Sequence, residues 1–182
     1  MKSPETYISV DVETAGPNPH SYSMLSIGAC LVSDPARAFY VELQPLNDNA
    51  LPEAMRVSGL SMAELAEHGT SPAEAMARFE VWVHDITPTG HRPIFVAFNA
   101  PFDWMFVCEY FHRYLGRNPF GHSALDLKAL YMGQHGVTWR ETSMRYVAVR
   151  YLDNRALTHN ALRDAQDQAE IMQKMLTEQN SN

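Results

Sequence analysis

The 182 residues are 46% apolar and 19% charged, ordinary values for a globular chain able to bury a real core, and the length fits one domain spanning 1–182. No apolar run approaches the length of a membrane span, and the start of the chain lacks the basic and apolar regions of a secretory signal. The net charge of −7 argues against a passive module held to nucleic acid by a basic surface, while leaving room for an enzyme whose bound cations supply positive charge where phosphate must sit. Cys30 and Cys108 stand far apart in apolar stretches with no Cys-x-x-Cys pairing, which predicts buried free thiols and a cytoplasmic location.

The first third reads as sheet. Residues 6–12, 24–32 and 38–44 are short β-rich runs, punctuated by turn formers at 15–19 and 33–36. A helix is predicted to open at Ser71, where Ser71-Pro72-Ala73-Glu74 has capping-box spacing and proline in the first helical position, and Met76, Phe79, Val83 and Ile86 follow at helical intervals. Residues 93–98 form an unbroken apolar strand, buried on both faces. A helix from about Pro101 to Leu115 stops at Gly116, a short strand at 123–127 leads into a helix near 127–134, and a last helix covers roughly 160–177. The 135–158 stretch gives no clear reading. A strand meander followed by alternating helix and strand predicts an α/β domain with a mixed sheet.

Chemistry concentrates at three element ends. Asp11 and Glu13 lie two apart at the end of the first strand, so both carboxylates face the same way and repel unless a cation or proton neutralises them. Taken alone, the pair reads as a solvated strand end before it reads as a metal site. Asn99-Ala100-Pro101-Phe102-Asp103 follows the apolar strand and places Asp103 in the first turn of the next helix, where the dipole favours an anion. Ordinary capping explains that element equally well. His159 precedes the last helix, with Thr158 as the expected N-cap. On a helical wheel Asp164 flanks the apolar stripe, while Asp167 falls nearly opposite it and reads as a solvated charge.

In order, Asp-x-Glu-Thr, Asn-x-x-Phe-Asp and His-x-Ala-x-x-Asp resemble the DEDDh exonucleases, the superfamily of polymerase proofreading subunits, ribonuclease T and oligoribonuclease. The resemblance covers about residues 6–176, and all five motif positions are filled. It implies a ribonuclease-H-like mixed sheet flanked by helices and a 3′–5′ exonuclease acting on single-stranded DNA or RNA ends. By that likeness Asp11, Glu13, Asp103 and Asp164 bind two divalent cations, Mg²⁺ or Mn²⁺, and His159 is the general base. Thr14, Asn99 and Phe102 would lie near the terminal nucleotide. It leaves open a homodimer and a polymerase or repair partner. The physical logic agrees with these roles. Two hard cations about 4 Å apart stabilise the attacking and leaving oxygens of a phosphodiester, and a histidine titrating near neutrality accepts a proton from water.

Other residues fall outside the motifs. Trp104 is the aromatic on the Pro101–Leu115 helix best placed for a base contact, although core packing is the commoner role for such residues. Asp126 follows a probable strand and reads as a supporting group. Arg140, Arg145, Arg150 and Arg155 recur every five residues, a spacing that forms no single stripe; they either meet substrate phosphates or offset the acidic site. The segment after Thr14 departs from the small polar–glycine–leucine pattern of many relatives, which leaves base preference open. Two rival readings are a ribonuclease-H-fold endonuclease, against which the His-x-Ala-x-x-Asp element counts, and a catalytically inactive scaffold subunit, against which the intact five residues count.

Overall fold

The computed structural model describes residues 4–155 and 158–179. The ends of the 1–182 span, and two residues within the 135–158 stretch, lie outside it. Three strands open the chain as predicted, β1 (Glu5–Thr14), β2 (Met24–Leu31) and β3 (Asp34–Glu42), followed by the short helices α1 (Pro52–Ser58) and α2 (Met62–His68). Then come α3 (Pro72–Ile86), β4 (Arg92–Ala97), α4 (Ala100–Leu115), β5 (Ala124–Asp126) and α5 (Leu127–His135). A 3₁₀ turn (Trp139–Thr142), α6 (Met144–Tyr151) and α7 (Ala161–Gln179) complete the order. No described helix is long and apolar enough to cross a membrane.

The five strands lie in the order β3-β2-β1-β4-β5. The β1–β2 and β2–β3 pairs are antiparallel, and the β1–β4 and β4–β5 pairs parallel, so the sheet is mixed as predicted. Ile8, Val10 and Val12 of β1 face a core built with α3 and α4, including Phe79, Phe106 and Phe111. Cys30 and Val96 face the other core, built with α5, α6 and α7, including Tyr131, Tyr151 and Met172. Alternation along β1 therefore turns the odd-numbered residues, Asp11 and Glu13 among them, toward α7.

Local signals explain most boundaries. Ser71 accepts a hydrogen bond from Glu74 N at the start of α3, and α4 ends at Gly116 with φ of 68°. β3 begins at Asp34, inside the predicted turn at 33–36, because an edge strand tolerates Pro35. α7 is capped by Asn160, whose Oδ1 accepts from Arg163 N at 3.2 Å; Thr158 has a different role, described below.

One glycine decides how closely α7 approaches the sheet. Gly28 of β2 sits opposite Asp11 of β1, and a Cβ there would meet the backbone carbon of Ala161 at 2.1 Å and the nitrogen of Leu162 at 2.2 Å. The missing side chain lets the first turn of α7 rest on the strand directly beside Asp11. Gly28→Ala should therefore destabilise the protein by about 1–3 kcal/mol through backbone displacement. Gly133→Ala, with nothing within 4 Å of the added methyl, should be neutral or stabilising within helix α5. Chemical denaturation of both variants checks this; equal, small effects would mean that α7 has room to move.

Candidate active site

Three element ends converge on one cleft of about 420 Å³, whose lining includes Asp11, Glu13, Asp103, His159 and Asp164, together with Thr14, Asn99 and Phe102. β1 delivers Asp11 and Glu13 on its α7-facing side. β1 pairs with β4 only as far as Ser9, and beyond that point the Val12 amide donates to Asp103 Oδ1 at 3.1 Å. A carboxylate from the first turn of α4 thus takes the place of the next strand. Asp103 is 4% exposed and Asp164 2% exposed.

The turn before α7 is tied to Asp164. Thr158 N and Thr158 Oγ1 donate to Asp164 Oδ1 at 2.8 and 3.1 Å, and His159 N donates to Oδ2 at 2.9 Å. These bonds hold His159 in a left-handed conformation, φ 54°, that non-glycine residues seldom adopt. The side chain remains exposed. Glu13, His159 and Asp164 each present a ligand atom, and these atoms lie within 4.8 Å of one another.

Supporting contacts fix the walls. Gln168, one helical turn beyond Asp164 and 1% exposed, donates from Nε2 to Asp11 Oδ1 at 2.7 Å and accepts at Oε1 from Phe98 N at 3.0 Å. It was not singled out in the sequence, although its spacing four residues after Asp164 puts it on the same helical face. Asp126 caps α5 by accepting from Lys128 N at 3.0 Å, and the same oxygen accepts from Asn99 N at 3.1 Å, holding Asn99 at φ 69°. Thr14 donates to the carbonyl of Gly16 at 2.9 Å, bracing the turn after β1.

Two residues sit elsewhere than expected. Trp104 packs edge-on against Phe95, centroids 5.3 Å apart, and belongs to the α3–α4 core; it is not among the residues lining the cleft. Asp167, expected on a solvated face, is 9% exposed and paired with Arg155 at 3.0 Å. The wheel reads only the helix's own apolar stripe, whereas Arg155, from the turn after α6, folds over that side of α7.

Residues 6–176 match the family model described as the 3′-5′ exoribonuclease Rv2179c-like domain. The chain belongs to this family. The 3′-5′ DNA exonuclease Cap18 of Escherichia coli is 44% identical over 167 residues, covering 92% of this chain and 89% of that protein. Among solved structures, the nuclease domain of 3′hExo, a DEDDh family member bound to rAMP, superposes with a TM-score of 0.78 at 12% identity, covering 96% of this chain and 93% of that one. E. coli exonuclease I in complex with a dT13 oligonucleotide gives 0.70 at 19% identity, with 96% of this chain matching only 41% of that longer protein. The DEDDh resemblance read from three short motifs holds, and the fold is that of this group.

The Rv2179c-like site is electrostatically tense. Burial, then the neighbouring Asp103, Glu13 and Asp164 carboxylates, push Asp11 well above the usual carboxylate range, against the opposing hydrogen bond from Gln168. Burial, with Asp164 and Asp103, raises Glu13 to about 8. Burial raises Asp103 to about 7, although the Val12 amide bond pulls it down. A site of clustered carboxylate oxygens that resist ionising suits a hard divalent cation, which would replace the protons.

The folded metal-free protein retains protons that the unfolded chain releases near its ordinary carboxylate pKa, so raising pH favours unfolding. Metal-free protein should lose thermal stability progressively between about pH 4 and pH 8, the window from the ordinary carboxylate range to the raised value of Glu13. Asp11→Asn should flatten that decline and raise the metal-free Tm at pH 8. Melting curves in chelator check both; a wild-type Tm that rises relative to Asp11→Asn across this window would contradict the assignment.

Proposed function

We propose that this chain is a divalent-metal-dependent enzyme that removes nucleotides one at a time from the 3′ end of single-stranded DNA or RNA. The observation that carries the reading is the placement of His159 beside Glu13 and Asp164 at the mouth of a carboxylate-lined cleft. Asp11, Glu13, Asp103 and Asp164 would hold two cations, Mg²⁺ or Mn²⁺ by the hardness of the donors. When bound, such cations offset the charge of the phosphodiester and of its attacking and leaving oxygens.

The chain's own groups supply the rest. His159 accepts a proton from the attacking water, whose oxygen bonds to phosphorus. The bond from phosphorus to the 3′-oxygen of the upstream nucleotide breaks, and that oxygen takes a proton from solvent. A nucleoside 5′-monophosphate and a strand shorter by one nucleotide result. Phe102, half-buried at the cleft wall, offers a ring face to the terminal base, and Thr14 and Asn99 border the same space. Gln168 keeps the Asp11 carboxylate aimed into the cleft. The family description names RNA and the Escherichia coli relative names DNA, so both sugars belong in the test. A cytoplasmic setting is part of the same reading, since Cys30 and Cys108 are free thiols.

End-labelled DNA and RNA single strands, with a circular single strand as control, test the proposal in Mg²⁺ or Mn²⁺. Ladders of successive 3′ shortening, no cutting of the circle and no product in chelator are expected. Cutting of the circle would assign an endonuclease instead. His159→Ala should lower kcat roughly 100- to 10,000-fold while leaving strand binding near wild type. Near-normal turnover by that variant, with an unchanged pH profile, would remove His159 from the chemistry.

A further inference from the structure

Beyond the cleft, the segment from α5 to α6 has a composition unlike the rest of the surface. Among the described residues six large hydrophobic side chains stand exposed, and four of them, Met132, Trp139, Tyr146 and Val149, belong to this segment. Between Leu127 and Arg150 the chain carries four basic residues against one acidic residue, within a protein of net charge −7. The one acid, Glu141, is committed to local structure: its Oε2 accepts from Thr138 N and Thr138 Oγ1 at 2.8 and 2.6 Å, the capping box of the 3₁₀ turn. Arg150 is drawn to Glu178 at 3.3 Å, whereas Arg140 and Arg145 stand exposed.

Trp139 is the centre of this patch. It is 52% exposed, yet its backbone is firmly placed: the capping box fixes the turn it opens, and the buried Thr142 donates from Oγ1 to the Trp139 carbonyl at 2.7 Å. Lys128 sets its ammonium 4.2 Å from the indole centroid. A half-open indole on a fixed backbone, with a cation over one ring face, offers two things to a polyanion with flat bases, its other face for stacking and a phosphate partner.

The patch is joined to the cleft through the backbone. Lys128 N and Asn99 N donate to the same Asp126 oxygen, and Asn99 lines the cleft. The 3₁₀ turn packs on both α5 and α6, and the chain leaving α6 leads to the His159 turn. The C-terminal end of β5 therefore links Asn99 of the cleft to the start of α5, from which Lys128 reaches Trp139.

Building on the exonuclease reading, we propose that Trp139 and Lys128 form a holding site for the single strand upstream of the scissile nucleotide, with a base stacked on the indole and its phosphate paired to the ammonium. Arg140 and Arg145 extend the same path for later phosphates. The site serves long strands and is not reached by a dinucleotide whose 3′ residue occupies the cleft.

The test compares long single strands with a dinucleotide, using the full chain, wild type and the variants Trp139→Ala, Trp139→Phe and Lys128→Ala. For long strands, KM and the Kd measured in chelator should rise about tenfold in Trp139→Ala and in Lys128→Ala, the size expected for one lost stacking or phosphate contact. kcat, and hydrolysis of the dinucleotide, should not change, and Trp139→Phe should recover most of the lost affinity. A long strand made abasic upstream of its 3′ end should bind wild type and Trp139→Ala alike. Should Trp139→Ala melt below wild type, Lys128→Ala and Trp139→Phe carry the comparison. Variants equal to wild type on long strands, or impaired equally on the dinucleotide, would overturn the proposal. Failure of the wild type to cleave any strand would overturn the exonuclease reading, while chelator binding weakened by Trp139→Ala would still uphold the holding site.

Discussion

Four carboxylates share a space at the end of β1, where burial and neighbouring charge oppose the ionisation of Asp11, Glu13 and Asp103. The rest of the architecture can be understood as what holds them there. The Gly28 surface lets α7 lie on the sheet, so that Asp164 reaches Asp11 and Glu13. The early end of the β1–β4 ladder leaves an amide for Asp103. Gln168 uses both ends of its amide, one on Asp11 and one on Phe98, the residue just after β4. Two cores on opposite faces of the sheet keep these supports rigid. Such tension is characteristic of sites that await a cation or change protonation during use.

The same four groups explain how a chain of net charge −7 can address nucleic acid. Global charge steers encounter over long distances, but the contact is decided locally, where bound cations would invert the sign of the acidic cleft. The basic and aromatic residues between α5 and α6 add a second local exception. The acidity elsewhere disfavours indiscriminate adhesion to a polyanion.

Much of the sheet was legible because its signals are local. The β1–β2 meander, the Ser71 cap and the Gly116 stop each follow from side-chain type and spacing. The helices α1 and α2 show no apolar stripe, because α1 buries no residue and α2 buries only Leu65, and the Ser61–Glu64 capping spacing of α2 stands without one. The 135–158 stretch breaks into a 3₁₀ turn and an eight-residue helix, each too short for a periodic pattern. The five motif residues could be named because three elements, each with an ordinary local reading, stand together in the DEDDh order, and the structure gathers all five at one cleft. What could not be seen was tertiary covering. Asp167 looked solvated because a wheel omits Arg155, and Trp104 looked available because a sequence omits Phe95.

On the proposed reading Asp11, Glu13 and Asp103 retain protons when no cation is bound and would exchange them for one when it arrives. Calorimetric titration of the metal-free protein with Mg²⁺ or Mn²⁺ near pH 7, repeated in buffers of different ionisation enthalpy, measures that exchange directly. Net proton release on binding is expected, smaller in Asp11→Asn than in wild type and declining as the pH is raised through the value of about 8 held by Glu13. Cation binding at pH 7 with no proton released would contradict the account, because the carboxylates would then already be ionised and their crowding would have some other remedy.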